Sequence, residues 1–245
     1  MKKWFKVFAF VGVFSAVISP AVAMEKFSEA EEVFAEVWDV VSKDVINAGC
    51  DKPTLRTSIA QEFSFLFLRN MAAVPDLTGV VFYDGVIGIR RYNIVPSISL
   101  LSTVSADEFR ALLLHEFGHI VMQHSVTRIK YVTEKLGMPK SFVSLFNFMM
   151  KLNSLASNDP HYGMWIRGQE YDADMYACVM LQKMGYNPLM MADALEHITR
   201  GFSLLEKFDK THPSTKDRVD LIKFMYPPKI EDVVEVGRRA IPIKK

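Results

Sequence analysis

Two histidines and a glutamate interrupt an apolar stretch, RALLLHEFGHIVMQH, that runs from Arg110 to His124. Its other residues, Leu112, Leu113, Leu114, Phe117, Ile120 and Val121, suit a core, so polar side chains among them need a chemical reason. Residues four apart stack on one face of a helix. His115 and His119 can therefore both aim a ring nitrogen at a point about 2 Å away, the zinc–nitrogen distance. Glu116 projects about 100° round the axis from His115. That keeps it out of the ligand set but beside the water such an ion activates, where it can take a proton. His-Glu-x-x-His is the spacing of zinc hydrolases.

A catalytic zinc takes three protein ligands and keeps one position open. The run Glu170-Tyr171-Asp172-Ala173-Asp174 falls on a later expected helix, with Glu170 and Asp174 on one face. Glu170 is the expected third ligand. Asp174, one turn on, is placed to accept the second ring N–H of a ligating histidine and so hold its tautomer. A solvated face is the plainer reading of both acids. Met175, Tyr176, Ala177, Val179, Met180 and Leu181 argue against it, because buried carboxylates need partners.

The elements that must position these residues are mostly helical. Apolar residues recur at three and four from Phe27 to Ile46, which predicts an amphipathic helix. Residues 57–73 read as a second helix, with FSFLFL equally compatible with a strand. VVFYDGVIGI places Asp84-Gly85 between two β-rich runs, a hairpin signal, and SISLL at 97–101 is expected to add a third strand to a small antiparallel sheet. Ser105-Ala106-Asp107-Glu108 is a capping box that starts a helix running to about His124. Pro139 opens an apolar segment to Leu155, and a further helix runs from about Tyr162 to Met184. It stops at Gly185-Tyr186-Asn187-Pro188. Helices over 188–208 and 213–225 follow, and residues 229–245 read as a C-terminal arm.

The chain has 245 residues, half of them hydrophobic, enough for one sizeable core. Lys2, Lys3 and Lys6 precede an apolar stretch from Val7 to Ile18 that closes on Ser19-Pro20-Ala21-Val22-Ala23, the pattern of a secretory signal over residues 1–23. An uncleaved membrane anchor is the alternative, disfavoured because a span needs about 20 apolar residues. Without that segment 26 basic residues face 28 acidic ones, a balance that offers no nucleic-acid surface. Cys50 and Cys178 are read as either a disulfide or two separate buried thiols.

These residues together resemble the metallopeptidase family numbered forty-eight, which includes the CAAX prenyl protease, HtpX, Oma and periplasmic BepA-like zinc proteases. The resemblance covers residues 77–226 and rests on landmarks in order: His115-Glu116-Phe117-Gly118-His119 with His124, Glu170 with Asp174, Gly185-Tyr186-Asn187-Pro188, and His212-Pro213 with Arg218. It implies an α+β, mainly helical, gluzincin-type domain over 24–228, with a small antiparallel sheet packed on the ligand helix and one zinc held by His115, His119 and Glu170. Where the family has an edge strand lining the cleft, this chain has Asn93-Ile94-Val95-Pro96 without the family's glycine pair.

The helical wheel turns His124 roughly 140° from the ligands, so it is read as a structural hydrogen-bonding residue. His212 is expected in a loop facing the metal, as a donor to the tetrahedral intermediate or as an extra ligand, with a plain helix-start histidine as the alternative. Arg218 is read as the partner of Asp174 or another buried acid, and as second choice for the oxyanion donor. The expected activity is endopeptidase cleavage of unfolded or envelope proteins after signal-peptide removal, in the periplasm or outside the cell, with a membrane-associated partner and with residues 139–155 as a lid. The competing expectation is a periplasmic chaperone or binding protein whose zinc site is regulatory or occluded.

Overall fold

The computed structural model describes residues 20–56, 71–75, 80–83, 86–136, 159–200 and 213–227. Helix α1 spans Pro20–Asn47. Its stripe Val37, Val41 and Val45 is wholly buried against helix α3, Ala106–Val121. Phe34 and Trp38 of α1 meet the Phe117 ring at centroid distances of 5.9 and 6.3 Å. The other side of α3 packs on helix α5, Pro160–Lys183, so the helix of HEFGH is sandwiched between two others. No helix among the described residues is long and apolar enough to cross a membrane.

The ends of these helices follow the local sequence. Ser105 accepts from the Glu108 amide at 3.2 Å while the Glu108 carboxylate accepts from the Ser105 amide at 2.8 Å, closing the predicted box. Asp159 caps α5 by accepting from the His161 and Tyr162 amides at 3.0 and 3.1 Å, and Pro160 sits in the first turn where its missing N–H costs nothing. At the other end Gly185 has φ +83°, and the Tyr186 amide reaches back to the Leu181 carbonyl at 2.9 Å. That bond pattern needs the left-handed residue glycine supplies. Tyr186 then turns inward: its hydroxyl donates to Glu36 at 3.0 Å, and Arg110 lies over its ring while also binding Glu36 at 2.7 Å. Helix α6, Met190–Thr199, and helix α7, Thr215–Met225, complete the layer.

The sheet departs from expectation. β3, Val80–Tyr83, and β4, Val86–Ile89, pair antiparallel as a hairpin, and its turn, Asp84-Gly85, lies outside the described residues. A separate sheet has the order β1-β5-β2, from Thr54–Leu55, Tyr92–Pro96 and Met71–Pro75. β2 is antiparallel to β5, but β1 is parallel to it, so this sheet is mixed rather than antiparallel. A two-residue strand has no period to read, and β1 is fixed by long-range bonds, such as the Arg56 amide to the Ile94 carbonyl at 2.9 Å. Asn93–Pro96 is consequently the middle strand, not an edge. β2 is the strand that runs beside α3.

Three local expectations are corrected. SISLL is not a third strand: Ile98–Leu101 forms the one-turn helix α2, because Ser97 captures the Leu100 amide at 3.0 Å. Residues 71–73 belong to β2 rather than to a helix over 57–73, whose remainder lies outside the described residues. The helix of HEFGH ends at Val121, and a new one, α4, runs from His124 to Leu136. Between them Gln123 takes φ +52°, held there by its side-chain amide donating to the Ala48 carbonyl at the end of α1. Cys50 and Cys178 are both free and buried. Their thiols donate to the Ile89 and Pro188 carbonyls, at 3.4 and 3.6 Å.

Candidate metal centre

α3 carries His115 and His119 one turn apart, and α5 presents Glu170 to them. Close contact between these helices depends on Gly118: a Cβ there would lie 3.0 Å from the Ala173 Cα and 3.2 Å from the Tyr176 Cβ. With no side chain in the way, the Nε2 atoms of the two histidines stand 3.1 Å apart, each 3.5 Å from the Glu170 Oε2. An ion about 2.0–2.2 Å from each donor, at tetrahedral angles, spaces its donors about 3.3–3.5 Å apart. The two edges to Glu170, at 3.5 Å, fit one face of that tetrahedron, and the edge between the histidines, at 3.1 Å, is slightly shorter. Among the described residues these are the three side chains that could hold a metal together.

The hydrogen bonds behind the ligands favour lone pairs pointing at that centre. Asp174 Oδ1 lies 2.8 Å from His115 Nδ1; a carboxylate accepts, so the proton sits on Nδ1 and Nε2 is left as a donor atom for a metal. His124 Nδ1 lies 2.8 Å from His119 Nδ1. Burial, then the neighbouring His119 and Arg128, push His124 down to about 3. It is therefore neutral and can accept the His119 Nδ1 proton, which frees the His119 Nε2. Two imidazole lone pairs and a carboxylate oxygen converging at these distances repel one another unless a cation lies between them.

Charge around the centre is nearly balanced. Asp174 is fully buried and Glu170 almost so. Arg218 grips Asp174 with one edge of its guanidinium, Nε donating to Oδ2 at 2.7 Å and Nη2 to Oδ1 at 2.6 Å. Burial opposes the charge on Asp174, but Arg218 outweighs it and holds the carboxyl below its usual range. Burial likewise opposes charge on His115, yet Asp174 and Glu170 lift it to about 9; carboxylates that favour a proton on the ring favour a metal ion there for the same reason. Arg128 donates Nη2 to the Glu170 Oε1 at 3.1 Å. Glu116, Glu170 and Asp174 against Arg128 and Arg218 leave one excess negative charge, which suits a divalent cation.

The structure thus brings His115, His119, Glu170, Asp174 and Arg218 together, with Glu116 buried on the same turn and close enough to act on the Arg218 charge. Arg218 is engaged by Asp174 on two atoms. His212 and the segment 139–155 lie outside the described residues. Sequence reasoning missed the place of His124, because the wheel assumes an unbroken helix and neither Met122 nor Gln123 signals a break. It also missed Arg128, whose signal, one turn beyond His124, has meaning only once α4 folds back.

The model of peptidase family M48 matches residues 82–225, more than half of the chain. That span holds the HEFGH helix, Glu170, Asp174 and Arg218. No curated protein matches the chain.

Proposed function

The chain belongs to peptidase family M48, and on that premise we propose that it is a zinc-dependent endopeptidase of unfolded or envelope proteins, with Glu116 as its general base. The observation that supports this most is the triangle of donors from His115, His119 and Glu170, with a buried glutamate on the turn between the two histidines.

Zinc held by His115, His119 and Glu170 would supply Lewis-acid polarisation of the scissile carbonyl and would lower the pKa of a water there. Glu116 takes the proton of that water and delivers it to the leaving nitrogen. Asp174 keeps the His115 proton on Nδ1, and Arg218 keeps Asp174 ionised. His212 is proposed as the donor to the developing oxyanion. The described cysteines are unsuited to a nucleophilic route: both are buried, and burial pushes Cys178 up to about 12. The N-terminal pattern extends the proposal to a periplasmic or secreted enzyme, or one anchored by an uncleaved N-terminus.

The test is zinc content and casein cleavage for the mature protein beside E116Q, which leaves the three donors intact. Both should bind about one zinc, and only the parent should cleave. If the parent binds no zinc, or if E116Q cleaves as well as the parent, the reading fails. If both bind zinc and neither cleaves, the chaperone reading is favoured.

A further inference from the structure

The groups behind the three donors come from two parts of the fold. Behind His115 stand Asp174 and Arg218, from α5 and α7. Behind His119 and Glu170 stand residues of one helix, α4. His124 opens it and meets His119 at 2.8 Å. Arg128, one turn on, donates Nη2 to the Glu170 Oε1 at 3.1 Å and Nε to the Gln169 Oε1 at 2.5 Å. Gln169 is buried and in turn donates to the Thr127 hydroxyl at 3.2 Å, so the guanidinium is braced from its own helix.

The two oxygens of Glu170 are therefore not equivalent. Oε2 faces both histidine nitrogens at 3.5 Å, whereas Oε1 is turned to Arg128. A carboxylate free at both oxygens can chelate an ion with both, and the second would occupy the position a water needs. Arginine's planar fork suits this restraint, since its geometry sets the direction as well as the charge.

We propose that α4 is the orienting arm of the metal centre: Arg128 restricts Glu170 to one ligand oxygen, Oε2, and His124 fixes the ring of His119, so that a fourth position stays open. The break at Gln123 is what allows it. An unbroken helix would carry His124 and Arg128 away from both ligands. Both are positioning residues and touch neither substrate nor reacting atoms. The inference rests on the metal-site reading above, and its test separates the two.

Cobalt(II) alone is titrated into the metal-free full chain, and into R128Q, R128K, H124L and H124N, reading affinity and the visible absorption per bound ion. Four-coordinate cobalt absorbs far more strongly than five- or six-coordinate cobalt. The parent should show the intense spectrum. R128Q should bind about 10–100-fold more weakly, the usual effect of losing an outer partner, and should lose intensity as Glu170 takes up the ion through both oxygens. R128K keeps the charge without the fork and guards against a folding failure of R128Q; it should fall between the two. H124L should weaken binding about tenfold, and H124N, which places an acceptor near the Nδ1 position, should recover most of it. Parental affinity in R128Q and H124L overturns the inference. So does weaker binding by R128Q with the parent's spectrum, because Glu170 would then ligate alike with or without the arginine. A parent that binds no cobalt overturns the metal-site reading instead.

Discussion

Gly118 and Ala173 meet at the crossing of the two helices that carry the candidate metal donors, where a Cβ on the glycine would lie 3.0 Å from the Ala173 Cα. G118A would gain about 1 kcal/mol of helix propensity, so any loss must come from the clash. Overpacking against backbone costs about 1–3 kcal/mol and moves Glu170 away from His115 and His119. The variant is expected to be less stable in urea and to bind zinc more weakly. A G118A protein as stable as the parent, with unchanged zinc affinity, would show that the helices have room to spare.

Asp174 connects His115 to Arg218, and D174N removes its charge with little change of shape. Breaking a buried pair leaves Arg218 uncompensated, at a cost of about 3–5 kcal/mol. The amide can also turn its NH2 toward His115 and impose the wrong tautomer, lowering zinc affinity about 10–100-fold. Calorimetric melting and zinc titration read the two effects separately. Retention of both by D174N is the outcome against this role.

Glu36, paired with Arg110, gives a pH signature of its own. The hydrogen bond from Arg110 holds its carboxyl low; burial works the other way, and the Tyr186 hydroxyl adds to the lowering. Since the folded-state value is depressed, this contribution is complete above the unfolded value, about pH 4.3. It fades as pH falls through the folded one. The Glu36 side chain is 41 % exposed, so solvent limits the effect to about 1 kcal/mol or less. E36Q should therefore be slightly less stable than the parent at pH 7 by urea midpoint, and the gap should narrow as pH falls below about 4. A gap that persists or widens at low pH contradicts the pairing.

The two cysteines should behave as protected thiols. Burial raises both their pKa values, so a thiol reagent at pH 8 should react slowly with the folded chain. In denaturant without reductant it should find two thiols per chain. No thiols under those conditions would indicate a disulfide, and two in the folded state would indicate exposure.

Much of the site is legible because its logic is short-range. A spacing of four places His115 and His119 together on any helix, and Glu170 and Asp174 on another. The box at Ser105 and Glu108, Pro160 after Asp159, and Gly185 after α5 are local signals that the backbone obeys. The misreadings lie where a local signal is weak or outvoted. SISLL has one β-branched residue, Ile98, yet one hydroxyl, that of Ser97, captures the Leu100 amide and turns the segment into a helix. Gln123 has no sequence mark of a break, and its positive φ depends on a contact with α1, 75 residues away.

By itself, then, the sequence determined the chemistry available: two imidazoles and two carboxylates at helical spacing, and a glutamate beside them. Tertiary structure decided how these groups are aimed. Arg128 meets Glu170 across 42 residues and Arg218 meets Asp174 across 44. β1 finds β5 as a parallel neighbour, a pairing with no periodicity to announce it. Such contacts form when the core places whole helices and strands side by side, and that packing depends on every buried side chain at once rather than on any one stretch of chain.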